Sequence, residues 1–342
     1  MDGRVSGVIV LLAAGALLGT PWTPAPVGAQ AKPVVWNLPH VAAPTYYHST
    51  TLSAFAAKVK ERSQGRMEIR VHPASSLYPG PEVIPALVDG RVEIGPITSG
   101  YLTDVLLELG ALELPFMTAG LDEHRKGVEA LRAYYAEVTA RRGLKLLAVN
   151  VWPSQQIFSA QPIRTLADWK GKKIRVYGTE TAETIRLLGA TPVNIPFGET
   201  YVALQRGVVD GAITSATNAE PMKFFEVSKY LNYWSLLGAG CDWIVVNQKA
   251  WEVLPRDLQE VVLEALKDAR LEERNWEEAR AWEDRARKRI QELGMSVVDP
   301  PAAEIDKARQ LSRAVWDGWL RRTGADGKRA MDTALRALGR AK

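Results

Sequence analysis

One stretch restricts the folds open to this chain more than any other. From Asp168 to Gly211 it reads DWKGKKIRVYGTETAETIRLLGATPVNIPFGETYVALQRGVVDG. Alternating apolar residues predict a short strand over Lys173 to Tyr177, which runs through Gly178 into a helix over Thr179 to Leu188. Gly189 is a natural left-handed stop for that helix. A second strand over Thr191 to Ile195 leads through Pro196-Phe197-Gly198 to a helix over Glu199 to Gln205. After Gly207 comes a third strand, Asp210 to Thr214. Strand, helix, strand, helix, strand is the repeat of a parallel α/β sheet. Ligands in such sheets sit at the carboxyl ends of the strands, where strand order reverses.

The same alternation precedes it. Val34 to Leu38 predicts a strand, Thr51 to Ser63 carries a helical apolar stripe, and Arg66 to Val71 alternates as a strand. Pro79-Gly80-Pro81 opens a helix to Val88, and Val92 to Ile97 is a third strand with Thr98 and Ser99 at its carboxyl end. This predicts a second parallel sheet. A helix over Leu121 to Arg142 and a strand over Leu144 to Val151 follow, with a crossing between lobes at Trp152 to Gln156. A helix is expected at Pro221 to Val227, then strands at Tyr230 to Leu237 and Asp242 to Val246, the last returning to lobe one. Between Pro255 and Gly294 the helical pattern is uninterrupted, with Leu258, Val262, Leu266, Trp276 and Ile290 on its apolar face. Its thirty-eight residues would reach roughly 57 Å, longer than one lobe is wide, so this helix braces both lobes or forms a dimer seam.

The chain of 342 residues, 46% hydrophobic and 24% charged, has room for two domains. Its formal charge of +4 is more than accounted for by residues 301–342, which hold ten Lys/Arg against five Asp/Glu. No basic-aromatic interleaving suited to stacking nucleic-acid bases and no nucleic-acid motif is present, so no nucleic-acid partner is expected. Arg4, the apolar run Val8 to Gly19 and the small residues Val27 to Ala31 form a secretory signal peptide, with cleavage after Ala29 or Ala31. Cys241 is the single cysteine, so no internal disulfide or lipid anchor is expected, and the periplasm is the expected location.

The pieces KGKKIRV, LGATP, PFGETYVALQ and VDG, in that order, resemble the core of the substrate-binding proteins of TRAP (tripartite ATP-independent periplasmic) transporters. Leu112 to Phe116 is similar to that family's LPF loop. The resemblance implies an α/β, two-lobed, type-II-like periplasmic binding protein with a long helix bracing both lobes. It implies delivery of a small carboxylate ligand to TRAP membrane permease subunits. It also makes Arg175 the carboxylate clamp and Phe197 a ligand contact. By spacing alone, Arg175 could equally pair with Glu180 or Glu199, and Phe197 could be a core aromatic. Members resembling this chain that take sialic acids or dicarboxylates commonly carry a second arginine where Gln155 stands, and often an asparagine where Thr214 stands. Their replacement favours a monocarboxylate.

Trp152, Trp234 and Trp243 lie near expected strand ends or crossings and are cleft candidates, although each could be ordinary core. Two of them lining the cleft would imply an apolar or aromatic ligand body. Tyr46, Thr98 and Ser99 offer hydroxyls that could orient the ligand or cap turns. His40, His48, His72 and His124 form no ligand spacing, so no metal is expected. There is no G-x-S-x-G, P-loop or C-x-x-C, and Gly238-Ala-Gly240 fails the dinucleotide fingerprint because Trp243 stands at the third glycine. No cofactor and no enzymatic activity follow. A sensory binding component is one alternative, and a secreted hydrolase a weaker one. The expected lobes are residues 32–152 with 241–278, and 153–240 with 279–342, after a signal peptide over 1–31.

Overall fold

The first strand, β1 (Val34–Pro39), buries alternate residues and lies parallel to β2 (Met67–His72), which follows helix α1 (Tyr47–Arg62). The computed structural model describes residues 1–3, 32–102 and 105–340; all but the first three residues of the expected signal peptide fall outside the described residues. All elements below belong to the unit Pro33–Lys342. After β2 come α2 (Gly80–Val88) and β3 (Ile94–Thr98), then α3 (Leu121–Ala140) and the nine-residue β4 (Leu144–Trp152).

Beyond β4 the chain enters the second lobe. Its elements are β5 (Gln155–Ser159), β6 (Lys173–Val176), α4 (Thr179–Leu187), β7 (Thr191–Asn194), α5 (Thr200–Gln205), β8 (Gly211–Ser215) and β9 (Tyr230–Leu237). It returns through β10 (Gly240–Asn247) to α6 (Gln248–Val253), α7 (Arg256–Asp268) and α8 (Leu271–Glu292). The strand β11 (Ser296–Val298) and helices α9 (Ala302–Leu311) and α10 (Arg313–Ala337) complete it.

The second lobe holds a six-stranded sheet of order β11-β9-β5-β8-β6-β7. As the alternation predicts, β6 pairs in parallel with both β7 and β8. The polarity reverses at β8, because β5 lies antiparallel to it. The first lobe departs from the expected parallel sheet. Its β3 and β4 flank the returning β10, antiparallel to both, while β1 and β2 form a separate parallel pair. A strand arriving from the other lobe takes the central place, which the local pattern of β3 could not reveal. The expected helix at 221–227 is only a 3₁₀ turn, Phe224–Glu226.

The two crossings lie side by side. Trp152 of β4 is paired with Gly240 of β10, and Gln155 of β5 with Leu237 of β9. Each connection therefore contributes only two residues, Pro153-Ser154 and Gly238-Ala239, between lobes. Gly238 is required there, since a Cβ would stand 2.0 Å from Thr118 Oγ1.

The predicted single helix over 255–294 is broken at Arg270, whose φ of 47° and ψ of 45° are left-handed. The break redirects the chain. Leu258, Val262, Ala265 and Leu271 join one core cluster of lobe one with α1 residues. Trp276 and Ala279 join its other cluster, and Ala286 and Ile290 join a cluster of lobe two. Thus α8 alone, roughly 33 Å long, braces both lobes. It also satisfies the free edge of β4: Val149 N–H donates to Glu272 at 3.1 Å and Val151 N–H to Asn275 Oδ1 at 2.7 Å. The C-terminal α10, expected among the lobe-two segments, buries Trp316 and Trp319 in the lobe-one cluster instead. Their indole N–H groups donate to the carbonyls of Pro115 and Leu107.

Candidate functional site

A cavity opens where the carboxyl ends of β3 and β4 face those of β6 and β8. Lobe one contributes Val41, Thr98, Ser99, Gly100, Tyr101, Glu113, Trp152 and Gly240; lobe two contributes Gln155, Arg175, Tyr177, Phe197, Thr214 and Asn218. It encloses about 510 Å³ of atom-free space, solvent at its mouth included. The walls meet closely. A Cβ on Gly178 would stand 3.0 Å from the Gly100 carbonyl, and one on Gly100 would stand 2.7 Å from Tyr177 Cδ2. Behind the cavity, Tyr46 of lobe one and Thr217 of lobe two share a hydroxyl hydrogen bond of 2.5 Å.

Arg175 dominates the site. In β6, Ile174 and Val176 point into one core cluster and Arg175 points to the opposite face. Only 1% of it is exposed. Its Nε donates to the Ile195 carbonyl (2.9 Å) and one Nη to the Ile213 carbonyl (3.0 Å), which fixes the guanidinium across the ends of both neighbouring strands. Tyr177 and Phe197 rings flank it at 5.4 and 5.8 Å. Among the described residues it has no salt bridge. Glu180, one of its two expected structural partners, pairs with Arg322 instead. The guanidinium carries five donors; two carbonyls and the Tyr101 hydroxyl do not use all of them, which leaves donor capacity for the cavity. Burial lowers its pKa, yet Arg remains charged in proteins.

Of the ten residues singled out from the sequence, Arg175, Phe197, Gln155, Thr214, Trp152, Thr98 and Ser99 line this cavity. Gln155 Nε2 is spent on the Pro153 carbonyl at 2.6 Å. Thr214 Oγ1 accepts from Asn218 Nδ2 at 2.8 Å. The amide read as missing at 214 is therefore present on the same wall at 218; the second arginine is not. Trp152 stacks on His48, with centroids 3.9 Å apart, and its buried Nε1 has no partner among the described residues. Tyr46 stands one layer back, stacked on Trp152 at 5.5 Å. Burial pushes its hydroxyl up to about 12.

Trp234 and Trp243 are core residues rather than cavity walls. Trp234 packs edge-on against Trp169 and donates to the Ile163 carbonyl. Trp243 packs edge-on against Tyr135. The sequence reading passed over Tyr101, Glu113, Tyr177 and Asn218. Tyr177 and Glu113 stood within quoted motifs, at a strand end and in the LPF loop, and that was the available signal.

Two buried clusters could suggest other chemistry. Asp242 Oδ2 lies 3.4 Å from His40 Nε2 and 3.2 Å from His48 Nδ1, all three fully buried. These residues lie 202 and 194 positions apart, beyond any spacing rule. Burial alone would raise Asp242, but the hydrogen bonds and charge of both histidines hold it well below the usual carboxylate range. Their donors are close enough to share an ion, yet they already bond to one another. Cys241 Sγ lies 3.2 Å from His124 Nε2, a nucleophile–base distance. Burial raises the thiol and pushes the imidazole down to about 3, which leaves both neutral and the thiol inert.

The family profile of bacterial extracellular solute-binding protein, family 7, matches residues 38–322. The C4-dicarboxylate-binding protein DctB of Bacillus subtilis is 31% identical over 243 residues, covering 69% of this chain and 68% of that protein. DctP6 of Bordetella pertussis, an extracytoplasmic solute receptor binding pyroglutamic acid, superposes with a TM-score of 0.83 at 27% identity, covering 89% of this chain and all of that one. A TRAP periplasmic solute-binding protein from Desulfovibrio salexigens with bound orotic acid gives 0.79 at 27% identity, covering 90% and 99%. Among the described residues no helix is long and apolar enough to cross a membrane.

Proposed function

The chain belongs to bacterial extracellular solute-binding protein family 7, the TRAP substrate-binding proteins, and on that premise we propose that it captures an organic monocarboxylate in the periplasm and delivers it to membrane permease subunits. One observation carries this reading. Arg175 is a buried cation facing a cavity, with no protein carboxylate paired to it among the described residues. A buried charge without a partner is costly, so an anionic ligand is the natural complement. The planar fork suits a carboxylate bidentately.

Among the described residues Arg175 is also the only basic one on the wall, which favours one carboxylate over two. Trp152, Tyr101, Tyr177 and Phe197 offer flat apolar surface for the rest of the ligand. Pyroglutamic and orotic acids, bound by two similar proteins, are ring-shaped monocarboxylic acids of this kind. Closure of the lobes about the paired crossings would enclose the ligand, and no bond is made or broken.

The test is a thermal-shift screen of organic acids on the wild type and on Arg175→Met, with product analysis for turnover. A true ligand at a hundred times its Kd stabilises by about 2.7 kcal/mol. The shift vanishes in the variant, whose unliganded melting temperature reports its own folding. A shift that survives the substitution refutes the clamp; consumption of a bound acid refutes the carrier reading.

A further inference from the structure

We propose that Glu113 is the second pole of this site, pairing with the N–H and C=O edge of a cyclic amide whose carboxylate rests on Arg175. This deepens the carboxylate-capture reading and rests on it. Glu113 ends the 3₁₀ segment Leu107–Glu113 and reaches the wall beside Ser99, Trp152 and Gly240. Its Oε1 accepts the Cys241 N–H at 3.1 Å, which anchors the carboxyl group to β10. Its Oε2 lies 3.3 Å from where a Cβ at residue 240 would stand. The same point is 2.9 Å from Ser99 Oγ and 3.5 Å from Trp152 Cβ. Glycine at 240 thus keeps the second oxygen within reach of the cavity.

The charges around Glu113 say which form it offers. Asp242 and Cys241 face it from β10, His124 and Tyr135 from α3, and Tyr177 from the end of β6. None of these is a fixed cation, and Glu113 forms no salt bridge among the described residues. Tyr177 lies 5.4 Å from the Arg175 guanidinium and lines the same cavity as Glu113. Burial pushes Glu113 up to about 8, so at neutral pH it is mainly the uncharged acid. A carboxylic acid presents one O–H donor and one carbonyl acceptor side by side. A lactam edge presents the reciprocal pair. The uncharged acid also leaves Arg175 free to hold the ligand's carboxylate, whereas a second ligand carboxylate at this pole would have no cation of its own.

The test uses calorimetric titration of the full mature chain with two probes, L-pyroglutamate and its lactone counterpart 5-oxotetrahydrofuran-2-carboxylate. They differ by one ring N–H replaced with oxygen. The wild type favours the lactam by ~10- to 100-fold, the worth of one hydrogen bond in a site built for it. Its lactam affinity declines as pH rises through about 8, because ionised Glu113 loses its donor. Glu113→Gln, permanently neutral with a donor and an acceptor, keeps the lactam preference and loses that alkaline decline. Glu113→Met binds both probes within about twofold of each other, since one hydrogen bond is what it lacks. Equal binding of both probes by the wild type overturns the proposal, as does an undiminished preference in the methionine variant. If other organic acids bind through Arg175 while neither probe does, Glu113 loses this role and the clamp stands. If Arg175→Met leaves lactam binding intact, the capture reading itself falls.

Discussion

Tyr46→Phe isolates the contribution of lobe closure to affinity. Tyr46 stands at the start of α1 in lobe one, and its hydroxyl meets Thr217 Oγ1 just after β8 in lobe two, 2.5 Å away. Neither residue lines the cavity. Phenylalanine retains the ring that stacks on Trp152 and meets Trp282 edge-on. Thr217 would not be orphaned either, because Ser215 Oγ lies 2.7 Å from it. The loss is therefore one net hydrogen bond without a desolvation penalty, about 1 kcal/mol, at the low end for buried pairs. If ligand binds the closed form and the bond exists only there, that energy comes off the closing equilibrium. Affinity for an acid found in the screen should fall about fivefold. The tyrosine hydroxyl, pushed up to about 12, stays protonated, so the deficit is the same from pH 6 to 9. Calorimetric titration measures it, and small-angle scattering of the unliganded variant should show no more compaction than the wild type. Affinity within 1.5-fold of wild type would refute a cross-lobe latch.

Asp242→Asn should cost about 1.5–3 kcal/mol at pH 7, the range for hydrogen bonds to a buried charged group, seen as a lower urea midpoint. Because the folded carboxyl is held below its usual value, its stabilisation is complete above about pH 4 and drains away as pH falls further. The variant should lack that acid-side decline; parallel pH profiles would refute the assignment. Gly240→Ala places a Cβ 2.9 Å from Ser99 Oγ and 3.3 Å from Glu113 Oε2. Crowding of this kind costs about 1–3 kcal/mol, so both the unliganded melting temperature and ligand affinity should drop. Unchanged affinity would mean that this corner of the cavity does not meet ligand.

The sequence alone determined the strand–helix order of residues 168–211, the parallel set β6, β7 and β8, and the position of Arg175 beside a turn. Periodicities of 2 and 3.6 residues, glycine stops and proline starts are local, and such signals survive in a bare sequence. The motif around Arg175 also pointed to the family, and the crossing after Trp152 was visible as Pro153-Ser154. What local signals could not settle is who covers whom. The apolar pattern over 255–294 reads as one helix because Arg270 is not a breaker; only packing against two different cores turns it. Trp152, Trp234 and Trp243 look alike in sequence, but the neighbours across the fold place one in the cavity wall and two in cores. Glu113 and Cys241 are 128 residues apart, and Asp242 meets histidines about 200 residues away. The returning strand β10 brings all of them together. Its central place in a sheet of lobe one is set by long-range pairing and burial, which no window of neighbouring residues encodes.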